Sequence, residues 1–382
     1  MTSAARKIRW IRPSAGRSTL DLSAVVPVMK SFSLEPLSRP AARRHQLDTL
    51  ARVGVPLSET ATNAREYALD LLMLAAEVEH ALMVQYLYTA SSIIETDNAE
   101  ENYRRKILNV AIQEMGHFAT VQNLLLLLGG PDALHVQRDV QRARSEKNPI
   151  PFVLDPVSLP TLAKYVAAEM PVDPPPEQAS QVKRLVDIAK QDAGIEPHRV
   201  GAIYTLLEWL FMDELDARRL LNLRALVPEL DQYGHLTDAD LKPSDQFEPF
   251  QAEKEEWSGA DWPTLLILVV RSRKEAVQAI TDIAQQGEGF QGAPDSHFRE
   301  FMELVDAFEK DKIKIKPIAT SPDLGNRHGG ERPTPITSPF TKLWGKIFSL
   351  QYTLILLSIR HAIATPRGTV DHPGMRQKII GL

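Results

Sequence analysis

Glu114 sits where a charged group is expensive. It falls at the centre of an apolar stripe made by Ile107, Val110, Val121 and Leu125, and His117 follows three residues later on the same face. Helical positions i and i+3 lie about 60° apart, so a carboxylate oxygen and an imidazole nitrogen at that spacing can converge on one ion. Glu79 falls within a second stripe, among Leu72, Ala76 and Met83. An ionised carboxylate inside a helical bundle is costly unless a cation or a proton compensates it. Two carboxylates on facing helices meet the same difficulty, so without metal at least one of Glu79 and Glu114 takes up a proton. Glu114 is the group expected to have its pKa raised. A divalent metal removes the conflict directly, and Glu-x-x-His with single glutamates on other helices is how bundles hold two iron or manganese ions. The competing reading is a buried, hydrogen-bonded polar cluster.

Other candidates have plainer company. Glu214 is nearly centred on the stripe of Ile203, Leu207 and Phe211, while Glu208 lies at its flank beside Tyr204. His297 shares a face with Phe301, Leu304 and Phe308, which also suits an ordinary helix-start histidine. His80 reads as a satisfied boundary residue, Glu77 as solvated, and His135 as a loop or surface histidine without ligand-like company.

These side chains need helices to position them. A long helical period covers 63–95, and after a break at Thr96-Asp97-Asn98 a second carries apolar positions from Ile107 to Leu128 and is closed by Gly129-Gly130-Pro131. Two shorter helical pieces flank the proline cluster from Pro171 to Pro176. A third long helix is read from Glu196 to Leu223, a fourth from Pro263 to Gln286, a short fifth over 295–310, and a last apolar helix around 340–362. Lys312 to Lys316 alternates like a strand. The pattern predicts an all-α four-helix bundle with a long insertion between the second and third helices. Its parts are an irregular N-terminal extension over 1–60, the bundle over 61–310 with a loop or subdomain at 131–194, and a linker with a C-terminal helix over 311–382.

Composition narrows the chemistry further. The 382 residues carry 44 Lys and Arg against 49 Asp and Glu, a formal net charge of −5, which gives no support for nucleic-acid binding. Cysteine is absent, so a metal site must use His and carboxylate. The longest charge-free apolar run, Ile347 to Ile359, falls short of the ~20 residues of a membrane-spanning helix. The basic N-terminal stretch lacks the apolar core of a secretory signal. A cytoplasmic protein without a membrane partner is expected.

Several ordered segments resemble one family. They are Ala76-Ala-Glu-Val-Glu-His-Ala with Gln85-Tyr86-Leu87, Gln113-Glu-Met-Gly-His-Phe118 followed by Asn123-Leu-Leu and Gly129-Gly-Pro131, and Val200-Gly-Ala-Ile-Tyr204. Gln286-Gly-Glu-Gly289, Ser296-His-Phe298, Phe301 and Tyr352-Thr-Leu-Ile-Leu-Leu357 complete the set. Together they resemble the ferritin-like domain family associated with iminophenyl-pyruvate dimer synthases, here as a stand-alone member without room for a haem-containing region.

The resemblance implies a ferritin-like fold and a di-metal site in bacterial secondary metabolism. It places Glu79, Glu114, His117, Glu288 and His297 at the family's polar positions. The polar residue expected before the aromatic pair is Ala202 here, which leaves Glu208 as the third-helix ligand and Glu214 as its alternative. The expected function is a non-haem di-iron oxidase or oxygenase holding two iron ions, with manganese as the other candidate metal. Its partners would be O2 and a small amino-acid-derived or aromatic metabolite, with a homodimer compatible. Tyr86, Tyr88, Tyr204 and Trp209 serve as bundle core or as pocket walls. The rival reading is a metal-binding or helical assembly subunit without its own catalysis.

Overall fold

Two asparagines start the two longest bundle helices. Helix α1 (Ala64–Ser91) begins at Asn63, whose side chain accepts a 2.9 Å bond from the Glu66 amide, and α2 (Tyr103–Gly129) begins at Asn102, which accepts from Arg105 at 3.0 Å. Gly130 ends α2 with φ of 69°, and its amide returns to the Leu126 carbonyl at 2.8 Å. The computed structural model describes residues 8–11, 50, 54–95, 102–138, 152–171, 174–193, 200–220, 223–257, 262–288, 296–325 and 333–369. The expected break at Thr96-Asp97-Asn98, the helix start at Glu196, and most of the basic N-terminal stretch lie outside them.

The remaining helices are α3 (Leu159–Glu169), α4 (Ala179–Ala193), α5 (Gly201–Phe211), α6 (Glu214–Leu220), α7 (Leu223–Leu226), α8 (Arg273–Glu288), α9 (His297–Glu309) and α10 (Pro339–Ala364). Helices α1 and α2 pack along each other, α3 packs on α4 and α9, and α5 packs on α8 and α1. Five consecutive leucines, Leu124 to Leu128, are fully buried, so α2 is surrounded on every side where it passes through the core. Truncating any one of them to Ala would cost about 2–5 kcal/mol. The N-terminal stretch contributes β1 (Ile8–Ile11), which pairs antiparallel with β2 (Val55–Ser58). A second small pair joins β3 (Pro322–Asp323) to β4 (Thr334–Pro335) in parallel. Among the described residues the regular structure is otherwise helical, as the periodicity predicts.

Four expectations are corrected. The third helix is not continuous to Leu223: α5 stops at Phe211, Met212 turns extended with ψ of 152°, and α6 starts afresh with the Asp213 carbonyl accepting from Ala217. Asp213 is a helix-start residue type, and it was the readable signal. The fourth helix begins at Arg273, ten residues later than Pro263. The stretch before it is an extended strap held by α2, with Thr120 Oγ donating to the Leu266 carbonyl at 3.1 Å and Asn123 Nδ2 to the Leu268 carbonyl at 2.9 Å. Gly116 makes that docking possible, because a Cβ there would lie 2.7 Å from the Leu266 oxygen. The run Lys312–Lys316 does not extend into a strand and pairs only through an isolated antiparallel bridge between Ile315 and Ile93. The length argument against a membrane-spanning segment also changes. Helix α10 has 26 residues and, by length and composition alone, is the one helix among the described residues apolar enough to cross a bilayer.

Candidate metal centre

Five elements deliver charged side chains to one buried cavity. Glu79 comes from the middle of α1, Glu114 and His117 from α2, Glu169 from the last residue of α3, Glu288 from the last residue of α8, and His297 from the first residue of α9. All six are buried to within 4% of full coverage. Leu82, Val200, Ile283 and Ala284 supply apolar walls.

Glu114 is common to two groups of side chains in this cavity. His117 Nδ1 lies 3.0 Å from Glu114 Oε2 and 3.4 Å from Glu79 Oε2. His297 Nδ1 lies 3.1 Å from Glu114 Oε1 and 3.8 Å from Glu169 Oε2. Two triads result, Glu79–Glu114–His117 and Glu114–Glu169–His297, each with its ligand atoms within 4.8 Å of one another. The supporting groups repeat as well. The Nε2 of His117 is 2.8 Å from Gln286 Oε1, and that of His297 is 2.8 Å from Gln113 Oε1. An amide oxygen only accepts, so each Nε2 carries the hydrogen and each Nδ1 is turned to the carboxylates. Gln286 is itself oriented by donating to the Thr264 carbonyl at 2.8 Å. Tyr204 donates its hydroxyl to Glu79 Oε1, and Tyr86 donates to Glu169 Oε1 at 2.5 Å. Both halves thus hold a carboxylate by a tyrosine and an imidazole by a glutamine.

Without metal the charges settle unevenly. Burial, reinforced by the charge of Glu114, pushes Glu79 up to about 8, and the same two causes raise Glu169. Burial alone would raise Glu114 too. The charge of His297 and the hydrogen bond from His117 outweigh it and hold Glu114 well below the usual carboxylate range. Burial opposes charge on His117 and His297, but their carboxylate partners lift them to about 10 and about 9. Glu79, not Glu114, is therefore the carboxylate that keeps a proton. The expectation for Glu114 fails because it alone sits between two imidazolium rings.

The residues present suit a metal. Glu79 Oε2, Glu114 Oε1 and His297 Nδ1 are buried and make no hydrogen bond in the structure. Buried polar atoms are rarely left this way unless something else occupies their lone pairs. Hard carboxylate oxygens with imidazole nitrogens are ligands that iron and manganese accept.

Sequence reasoning brought five of these residues together and missed the sixth. Glu79, Glu114, His117, Glu288 and His297 line the cavity. Neither third-helix candidate does. Glu208 is buried elsewhere on α5, and Glu214 is on the surface, held by Arg218 at 2.6 Å and Arg224 at 3.1 Å. The break after Phe211 resets the helical phase, so the stripe that would have carried Glu214 inward ends before it. Glu169 occupies the place instead. It continues the buried positions Leu162, Tyr165 and Val166 at i−7, i−4 and i−3, a periodic signal in the stretch read as a loop or subdomain. Glu77 is another correction: it is buried and paired with His135 Nε2 at 2.9 Å, so neither is a solvated bystander. Of the aromatic candidates, Tyr86 and Tyr204 bond site carboxylates, Tyr88 bonds the Ala319 carbonyl, and Trp209 packs on His235.

Glu288 depends on a missing side chain. A Cβ at Gly201 would lie 1.8 Å from Glu288 Oε1, so the first residue of α5 leaves the space that the carboxylate occupies. The Gly289 that follows lies outside the described residues.

The ferritin-like family model matches residues 72–306, which contain every residue of the cavity. Comparison with curated proteins and with solved structures gave no match.

Proposed function

We take as premise that this chain belongs to the ferritin-like family, and from it we propose that the cavity holds two metal ions and that the protein is a non-haem di-iron oxidase or oxygenase. The observation that carries the reading is the pair of triads sharing Glu114, with both Nδ1 atoms facing carboxylates. Glu79 and His117 would hold one ion, Glu169 and His297 the other, and Glu114 would serve both. Glu288 lines the same cavity and offers a further carboxylate. Iron bound there would supply electrons for reducing O2, with manganese as the alternative metal. The substrate is proposed to be a small amino-acid-derived or aromatic metabolite of bacterial secondary metabolism, as the resemblance implies.

The chain's own residues have definable tasks. Gln113 and Gln286 fix the tautomer in which Nδ1 is the ligand atom, since their oxygens accept the Nε2 hydrogens. Tyr204 and Tyr86 neutralise part of the charge on Glu79 and Glu169 and restrict how those carboxylates swing. Glu79 holds a proton near neutral pH when the site has no cation, and that proton must leave when one binds. Leu82, Ile283 and Ala284 exclude water from the carboxylate edges, which strengthens every charge interaction inside.

Anaerobic titration with Fe(II), followed by elemental analysis and O2-uptake measurement, tests the proposal. Two equivalents bound and O2 consumed on aeration are expected. Binding of two equivalents without O2 uptake would favour a metal-binding subunit without its own catalysis. No binding of Fe(II), Mn(II) or Zn(II) would remove the reading.

A further inference from the structure

Helix α10 carries its apolar residues on the outside. An 18-residue window within it has mean hydropathy 1.4 with only 17% of its residues buried. Phe348 and Leu350 are 69% and 71% exposed, and Phe340, Trp344, Leu354 and Leu357 are more than half exposed. At about 100° per residue these six side chains cover roughly half of the helix circumference. The opposite side faces the protein. Gly345 meets Leu324 and Ile336, Tyr352 bonds His80, and Leu356 and Ile363 are buried. Lys342, Lys346 and Arg360 fall on one line along the border of the exposed apolar arc, and no acid occurs anywhere in the helix.

We infer that α10 lies flat on an anionic lipid surface, with its apolar arc in the acyl boundary and its line of bases among the headgroups. The order of groups around the helix is what an interfacial helix requires: apolar face, basic border, polar or protein-held back. Exposed aromatics at its N-terminal end sit where amphipathic rings prefer to be, at headgroup depth. Three bases and no acid make the helix locally cationic within a chain of net charge −5, so an anionic layer is the complementary surface. A crossing orientation is opposed by the anchoring. Tyr352 is tied to His80 in mid-helix, and just past the C-terminus Arg367 pairs with Glu253 at 2.6 Å and its amide bonds the Pro249 carbonyl. A second copy is a poorer occupant. Antiparallel two-fold pairing of α10 would set Lys342 and Lys346 level with the partner's cationic end, with no acid on either helix.

Vesicle flotation of the full chain tests this, using phosphatidylcholine with and without about 30% phosphatidylglycerol. Binding to the anionic vesicles is expected, weakened at about 0.5 M salt and at least tenfold weaker on phosphatidylcholine alone. Lys342→Glu with Lys346→Glu should lower partitioning by about tenfold or more, and Phe348→Ser with Leu350→Ser should abolish it. Circular dichroism and Mn(II) stoichiometry matching the parent protein identify folded variants, and the charge-reversal pair, being exposed, serves if the apolar pair does not fold. The inference is overturned if the chain fails to float with anionic vesicles, or if it floats equally on both compositions. It is equally overturned if light scattering shows a dimer that Phe348→Ser dissociates while the parent protein ignores lipid.

Discussion

The cavity and helix α10 break the same packing rule in opposite directions. The cavity puts four carboxylates and two imidazoles in the interior, and α10 puts Phe348, Leu350 and Leu354 in the open. In the cavity the cost of burial is offset internally, by tyrosine hydroxyls, glutamine oxygens and opposite charges within 3–4 Å. On α10 nothing among the described residues covers the apolar arc. The difference teaches where a missing component is small and charged and where it is large and apolar.

The largest effect should come from the group both triads share. Glu114→Gln is expected to lose both metal equivalents, read by elemental analysis after Fe(II) or Mn(II) loading. It should also destabilise the metal-free chain by about 3 kcal/mol, because His117 and His297 lose the charge that balances them. Retention of both ions would break the shared-ligand geometry.

Next in size are the carboxylates that serve one side. Glu169→Ala should lose one equivalent of metal, whereas Glu208→Ala and Glu214→Ala should keep two. Loss of metal in either α5 or α6 variant with retention in Glu169→Ala would restore the ligand expected from sequence. Gly201→Ala should act on the same cavity from outside it. The added methyl needs the volume of the Glu288 carboxylate, so metal affinity should fall about tenfold or more while the helices persist by circular dichroism.

The pH dependence sharpens the electrostatic half of the comparison. Glu79 has a folded pKa of about 8, above its ordinary value, so its contribution is present in acid and is lost as pH rises through 8. His117 and His297, raised to about 10 and about 9, contribute fully below about 6.5 and lose that contribution through their folded values. Glu114, held low, acts oppositely and matters only in acid. The metal-free chain should therefore lose melting temperature from pH 6.5 to 9. Metal binding displaces those same protons, so the Mn(II)-induced rise in melting temperature should grow from pH 6.5 to 8. Parallel melting curves with and without Mn(II) across that range would contradict the assignment. The smallest effect is expected at Glu214→Ala, whose exposed pairing with Arg218 and Arg224 should leave stability unchanged within measurement.

Much of the centre was legible because helices make spacing equivalent to direction. Glu114 and His117 are three residues apart in an apolar stripe, and that alone places both in the core on one face. Glu79 follows by the same argument, and the absence of cysteine limits the ligands to oxygen and imidazole. Glu288 and His297 are less accessible to periodicity, since they stand at helix ends where direction depends on how α8 and α9 enter the bundle; it was the resemblance of their segments that marked them. Tertiary structure decided the rest. Glu169 ends a short helix and reaches His297 only because α3 docks on α9, which no local pattern specifies. Glu214 was lost from the centre when Met212 turned extended, a break that shifts helical phase without changing composition. Which carboxylate keeps its proton depended on distances to two imidazoles from different helices. Sequence fixes what each helix presents along its own axis; only packing fixes which faces meet, and charge at this centre is set by that meeting.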